Sequence, residues 1–319
     1  MRIWVISDGA AGNEKPALAL AGALGGADDV LRVRCRAPWR LLAPRRLYGA
    51  ARAFGPEFAE RLRAALPELV IGCGRQAALA TRLLRERGRG RCRAVQLLDP
   101  RLDPRHWDAV IVPRHDRLRG SNVLVTLGSL HAIDDDWIAA QRLAFRRFGE
   151  LAAPRRLVLL GGPTAAAPWD ARDLAAWARP LAAARATGGS LMVCASRRTP
   201  AFAADVLRDA LGSALDCAWF GDADGPNPYP GMLAWAERIV VSPDSVNLIS
   251  EACATAAPVA SPWPARPRSR LAAFHRAMRE CGRLQTFDGD LPGASFAPLR
   301  ELHGVAEAVV RMLGLRVAP

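Results

Sequence analysis

Short β-branched apolar runs alternate with stretches of helical periodicity along the whole chain, and that alternation leaves room for little besides a parallel α/β architecture. Ile3–Ser7 opens the pattern, followed by a turn over 9–12 and a helix over 14–24. Further strands are expected at 30–35, 69–71, 94–98, 109–112 and 122–126, with a helix running from Gly74 to about Glu86. After a helix over 136–151 the pattern restarts: Leu157–Leu160 runs into Gly161 and Gly162, as Ile3–Ser7 runs into Gly9 and Gly12. Strands at 191–195, 215–220 and 239–241 follow, and helices at 232–237, 246–256, 269–282 and 302–313, with a Pro-rich stretch over 258–267. Two α/β halves are therefore expected, an N-terminal domain over 1–150 and a second over 151–300. The last helix, within 301–319, packs back on the first. Glycine turns at strand ends would bring binding loops together across a cleft between the halves.

At 319 residues and 34.3 kDa, with half its residues apolar, the chain can bury two cores. Lys and Arg number 44 against 31 Asp and Glu, a net charge of +13, which favours anionic partners. Lys15 is the single lysine. The arginines are scattered rather than gathered in a basic helix or an RNP-like motif, which argues against nucleic acid. Seven cysteines without a C-x-x-C pair argue against both a disulfide framework and a zinc site, and suit reduced thiols in a cytoplasmic protein. The first residues lack the basic and apolar regions of a signal peptide, and no apolar run approaches ~18 residues.

The segment IVVSPDSVNLISEACATAAP, residues 239–258, carries the most chemistry. Ile239, Val240 and Val241 form a buried strand; Ser242, Asp244 and Ser245 offer N-cap oxygens, and Pro243 suits a first helical turn. Val246, Ile249, Cys253 and Ala256 repeat at core-facing spacing, leaving Asp244, Asn247 and Glu251 on a polar side. Glu251 lies roughly 9 Å of helix rise beyond Ser245. A phosphate on the amides at the helix tip would set a ribose beside Glu251, which suggests nucleotide binding. The bland alternative is an ordinary strand-to-helix junction. Pyrophosphate docking requires open amides here, and amides filled by the protein's own side chains would count against it.

Beyond this segment, SDGAAGNEKPALALAGALG at 7–25, DPRLDPRHWDAVIVPRHD at 99–116, LVLLGGPT at 157–164, SRRTP at 196–200 and the stretch over 227–259 together resemble the mitochondrial-fission (elongated-mitochondria) family. The resemblance covers nearly the whole chain. It implies a GT-B fold and, for bacterial members, glycosyl transfer to a lipopolysaccharide or lipooligosaccharide core, whereas the plant member is regarded as a scaffold in organelle division. The GG turn and the D-S-x-x-x-x-x-E helix are also similar to the nucleotide-sugar half of the peptidoglycan N-acetylglucosaminyltransferase. Carried over residue by residue, the resemblance puts Gly161 and Gly162 near a donor diphosphate, Ser245, Val246 and Asn247 at its helix end, and Glu251 on the ribose.

Arg197 and Arg198, after a strand, can clamp the same oxygens, and Asn227 and Tyr229 can line a base pocket, although two loop arginines and an N-P-Y-P turn also occur for structural reasons. In the first half, Asp8 is the first candidate for the base that deprotonates an acceptor hydroxyl; its structural role would be to cap the turn. His115, beside Asp116, is the second. Gly9, Gly12, Asn13 and Lys15 are candidates for acceptor or phosphate binding, Lys15 because a cation in a helix's first turn opposes the dipole. The expected partners are a nucleoside-diphosphate-sugar co-substrate and an anionic glycolipid, with contact to the cytoplasmic face of the inner membrane, and neither cofactor nor metal. The rivals are a non-catalytic nucleotide-binding or scaffold protein, and an epimerase or oxidoreductase suggested by Gly72, Gly74 and Ala77. Triplets at Asp134–Asp136, Asp222–Asp224 and Asp288–Asp290 read as solvated loop acids.

Overall fold

The computed structural model describes residues 1–264, 269–287, 289, 294 and 297–315. The chain divides into two compact units, one of residues 1–132 and the segment from Glu301 onward, the other of residues 133–300. The division falls earlier than the boundary expected near 150, because the helix Asp135–Ala144 belongs to the second unit and its Asp135 pairs there with Arg300.

The first unit contains β1 (Ile3–Ser7), β2 (Asp29–Arg32), β3 (Leu69–Cys73), β4 (Arg93–Leu97), β5 (Ala109–Pro113) and β6 (Val123–Thr126), with α1 (Ala11–Ala23), α2 (Trp39–Leu42), α3 (Pro56–Arg61) and α4 (Arg75–Gly88) between them. The second contains α5 (Asp135–Ala144), β7 (Arg155–Leu160), α6 (Ala171–Ala186), β8 (Ser190–Ala195), α7 (Phe202–Leu211), β9 (Cys217–Trp219), α8 (Tyr229–Trp235), β10 (Arg238–Val241), α9 (Val246–Cys253), β11 (Val259–Ser261), α10 (Arg270–Glu280) and β12 (Gln285–Thr286). The last helix, α11 (Leu302–Leu313), returns to the first unit.

Each unit is built on one six-stranded sheet, ordered β2-β1-β3-β4-β5-β6 and β12-β11-β10-β7-β8-β9, and every pairing is parallel. Parallel central strands are covered on both faces, which is why β1, β3, β7 and β10 read as continuous apolar runs rather than alternating ones. In the first unit Val305, Val309 and Leu313 of α11 join Ala17, Leu20 and Leu24 on one face of the sheet, while Leu79, Leu84 and Trp107 fill the other. In the second, Leu174 and Leu181 of α6 and Leu207 of α7 pack against Val158, Leu160 and Val193.

Strand order fixes where a ligand can sit. The chain steps from β1 outward to β2 and then crosses back to β3 on the opposite side; in the second unit it runs β7, β8, β9 and returns to β10 beside β7. The loops leaving β1 and β3 therefore diverge, as do those leaving β7 and β10, and each divergence opens a crevice at the carboxyl edge of its sheet.

Candidate functional site

In the second unit the crevice is formed by Gly161–Gly162 after β7 and Ser242–Ser245 after β10. The two glycines are required by close approach. A Cβ on Gly161 would lie 2.0 Å from Asp244 Oδ2, and one on Gly162 would lie 2.2 Å from the Arg198 carbonyl oxygen. Their amides are already engaged: Gly161 N–H donates to Ser242 Oγ at 2.7 Å and Gly162 N–H to Asp244 Oδ2 at 2.8 Å. Ser242 Oγ and Trp169 Nε1 both donate to Asp244 Oδ1, at 2.7 and 3.1 Å. The glycine amides are therefore engaged from the loop after β10, Gly161 N–H by the Ser242 hydroxyl and Gly162 N–H by the buried Asp244 carboxylate.

Ser245 is the N-cap of α9, and its Oγ accepts from Leu248 N–H at 3.3 Å; Val246 and Asn247 form the N1 and N2 positions of the tip. Arg197 and Arg198 lie exposed on the turn after β8. That turn is fastened beside the glycines because Thr199 Oγ1 donates toward Gly161 O and Leu160 O, at 2.6 and 3.0 Å. Arg198 Nη2 stands 3.5 Å from Asp244 Oδ2, with most of its side chain in solvent.

Two acids of the segment's polar side are buried. Asp244 and Glu251 are each 7% exposed, and Ala256, expected on the core side, is exposed beyond the helix end. Glu251 is covered by Tyr229, whose hydroxyl donates to Glu251 Oε2. Asn227 Oδ1 accepts Tyr229 N–H at 2.9 Å and fixes the start of α8. Burial, and next the Glu251 charge, push the Tyr229 phenol well above its ordinary value, so it stays a hydrogen-bond donor. The structure thus gathers Asn227, Tyr229 and Glu251 into one cluster, and Arg198, Gly161, Gly162 and Ser242–Val246 into another at the same sheet edge.

In the first unit Asp8 leaves β1 and accepts Ala10 N–H at 3.0 Å and both 3.1 Å contacts of Asn13 Nδ2. Asn13 also packs against Gly74, where a Cβ would come within 2.8 Å of its Nδ2, so the loops after β1 and β3 meet in the crevice. Gly72 packs against Thr81 and Gly74 opens α4 at φ +88°, which accounts for the G-x-G-x-x-A spacing without a dinucleotide. Helix α1 begins at Ala11, earlier than expected. Gly12 and Asn13 are therefore in its first turn and Lys15 in the second, which removes the dipole reason for singling out Lys15. Gly9 and Lys15 are exposed.

His115 follows β5, three strands from β1 and about 14 Å away across the sheet. Asp8 and His115, the first and second candidates for the base, thus lie on two separate loops of the first unit. A network the sequence did not disclose supports the β1 exit: Ser7 Oγ donates to Glu14 Oε2 at 2.8 Å, and Arg32 binds Glu14 through both oxygens at 2.8 and 2.9 Å. Arg32 holds the Glu14 carboxyl below its usual value.

Among the described residues no group of three or more His, Cys, Asp or Glu is placed to hold a metal ion. Asp134 caps α5, and Asp224 accepts Phe220 N–H, so these acids have structural roles; Asp288 and Asp290 lie outside the described residues. No helix of the described residues is long and apolar enough to cross a membrane.

Solved structures similar to this chain share its two-domain architecture. The UDP-GlcNAc 2-epimerase from Neisseria meningitidis bound to UDP-GlcNAc matches with a TM-score of 0.57 and 11% identity, covering 98% of this chain and 99% of that one. MurG from Acinetobacter baumannii matches at 0.50 and 13%, covering 98% and 92%. The fold is therefore the pair of Rossmann-like domains found in GT-B glycosyltransferases and these epimerases. Among curated proteins, mitochondrial fission protein ELM1 of Arabidopsis thaliana is 30% identical over 277 residues, 78% of this chain, and the match spans 65% of the plant protein's length. A Rickettsia prowazekii protein is 24% identical, covering 97% of this chain and 98% of its own. With the mitochondrial fission ELM1 family model matching residues 11–313, the chain belongs to that family.

Proposed function

We propose that the second unit binds a nucleoside-diphosphate sugar and that the protein transfers the sugar, with inversion, to an anionic cell-envelope glycolipid of the lipopolysaccharide or lipooligosaccharide core type at the cytoplasmic face of the inner membrane. The observation that carries the reading is the pair formed by Glu251, on α9 beyond its tip, and Tyr229, at the start of α8. Glu251 is about 7.5 Å of helix rise from Val246. A carboxylate oriented by a phenol at that distance accepts the two ribose hydroxyls, while the Val246 and Asn247 amides with Arg197 and Arg198 meet the diphosphate. The helix end and the two guanidiniums then stabilise the charge that grows on the departing nucleoside diphosphate, and no cofactor is invoked. Asp8, in the crevice of the first unit, is the proposed base for the acceptor hydroxyl. The nucleotide sugar named in the N. meningitidis structure is the same class of ligand.

A second reading, a nucleotide-binding or scaffold protein without catalysis, is favoured by one observation: Ser242 and Asp244 fill the Gly161 and Gly162 amides that would otherwise face a diphosphate. Thermal unfolding with a panel of nucleoside diphosphates tests the donor site. A ligand at 100 times its Kd stabilises by about 2.7 kcal/mol, so at least one nucleotide should raise the Tm by several degrees, and Glu251→Ala should abolish the rise. A panel that leaves the Tm unmoved, or a shift that survives Glu251→Ala, contradicts the donor assignment. A shift without turnover supports the scaffold reading.

A further inference from the structure

The first unit carries a second candidate binding site at the opposite edge of its sheet. Helix α4 starts at the carboxyl edge, beside Gly74, and runs back to the amino edge, where it ends at Gly88 and turns into β4. A cavity of about 620 Å³ opens there, lined by Arg2, Arg63, Arg87, Arg89 and Arg91 with Glu68. Its volume is that of a small-molecule site. The β1 strand separates it from Asp8 by about 16 Å, so it is distinct from the crevice described above.

Two of the five guanidiniums are anchored by backbone carbonyls: Arg2 Nη2 donates to Leu66 O at 2.7 Å, and Arg87 Nε to Leu62 O at 3.2 Å. The side chains of Arg63, Arg89 and Arg91 have no hydrogen bond or ion pair among the described residues. Glu68, the one acid in the lining, accepts Arg2 N–H at 2.6 Å. Some arginines of the same unit find carboxylates, as Arg85 and Arg93 do at Asp108 and Arg61 does at Asp29, whereas the five around this cavity share its wall with Glu68 as the one acid. Anchored and unpaired guanidiniums around one space repel each other until an anion enters, and their forked donors match phosphate oxygens bidentately. The α4 carboxyl end adds partial negative charge, so a single weak anion gains little; several phosphate charges are needed to engage arginines spread around the wall.

We propose that this cavity is a binding site for a compact anion carrying two or more phosphates, either a soluble phosphorylated metabolite or the phosphorylated headgroup of a lipid. Its volume of about 620 Å³ suits a small polyanion rather than a nucleic-acid duplex. The proposal stands independently of the donor site in the second unit.

Tripolyphosphate is the probe, titrated calorimetrically into the wild-type protein, the double variant Arg63→Gln/Arg91→Gln, the charge reversal Arg91→Glu, and Arg197→Gln in the second unit. The substituted cavity residues are exposed and make no side-chain bonds, so the folded state should be retained, which melting followed by circular dichroism verifies. The double variant should lose at least tenfold in affinity and the reversal more, while Arg197→Gln keeps this class of site. Sedimentation with vesicles of phosphatidylcholine alone and of phosphatidylcholine with cardiolipin, whose headgroup carries two phosphates, separates the sources. Loss of cardiolipin-vesicle binding in the double variant assigns a headgroup, and loss of tripolyphosphate binding alone assigns a soluble ligand. Tripolyphosphate affinity equal to wild type in both cavity variants overturns the proposal, as does a variant that loses duplex-oligonucleotide binding while keeping tripolyphosphate.

Discussion

Gly161→Ala tests whether Asp244 is locked beneath the glycine turn. The added methyl carbon would sit 2.0 Å from Asp244 Oδ2 and 2.7 Å from its carboxyl carbon. Ordinary contact begins near ~3.5 Å, so the carboxylate must retreat by about 1.5 Å. It cannot do so freely, because Gly162 N–H, Ser242 Oγ and Trp169 Nε1 all hold it and its side chain is fully enclosed. Hydrogen bonds to a charged group contribute roughly 1.5–3 kcal/mol each, and overpacking costs roughly 1–3 kcal/mol. Losing one such bond and relaxing the rest gives a destabilisation of about 3–5 kcal/mol, or a Tm lower by roughly 10 °C for a domain of this size. Differential scanning calorimetry reads it directly. Gly22→Ala serves as the control: a Cβ there meets nothing within 4 Å inside α1, and the substitution should stabilise by about 0.5–1 kcal/mol. A Gly161→Ala protein that melts with the wild type would mean that the carboxylate does not hold the turn, and the filled-amide account would fall.

His275 supplies a pH prediction: it is fully buried, its Nε2 is 2.8 Å from the Pro243 carbonyl, and Arg279 Nη1 is 3.1 Å from its Nδ1. Burial pushes its pKa down to about 4, with the Arg279 charge acting the same way, whereas the unfolded chain protonates near 6.5. The associated stability, about 3 kcal/mol, is present above pH 6.5 and lost as the pH falls from 6.5 to 4; urea unfolding at pH 7.5 and 5 should show a difference that His275→Gln flattens. Tyr229→Phe strips a donor from buried Glu251 and should cost about 1–3 kcal/mol in urea unfolding and weaken nucleotide binding, an outcome that unchanged values would refute. Asp8→Asn keeps an oxygen for Ala10 N–H, so the fold should persist while transfer falls roughly 10²–10⁴-fold; full activity would remove Asp8 as the base.

How far the sequence reaches depends on the range of the interactions. Strands β1, β3, β7 and β10 announce themselves because central parallel strands are apolar on both faces, and Ser245 marks the start of α9 because an N-cap is a local device. Edge strand β12, with only Gln285 and Thr286, has no apolar run to announce it. The Asp244–Gly162 bond spans 82 residues and joins a side chain to a backbone amide, a pairing that no periodicity encodes. The burial of Glu251 on the polar side of α9 is not legible in its spacing because Tyr229, which covers it, arrives from a separate helix. The arginine cavity draws residues from just before β1, just after α3 and the end of α4, which only the folded sheet brings together.

The most direct measurement is a structure of the protein with a nucleoside diphosphate bound. The diphosphate should lie against the Val246 and Asn247 amides with Arg198 turned onto it, and the ribose hydroxyls on Glu251 beside Tyr229. A nucleotide lodged elsewhere in the second unit, with the α9 tip vacant and the Tyr229–Glu251 pair untouched, would contradict it.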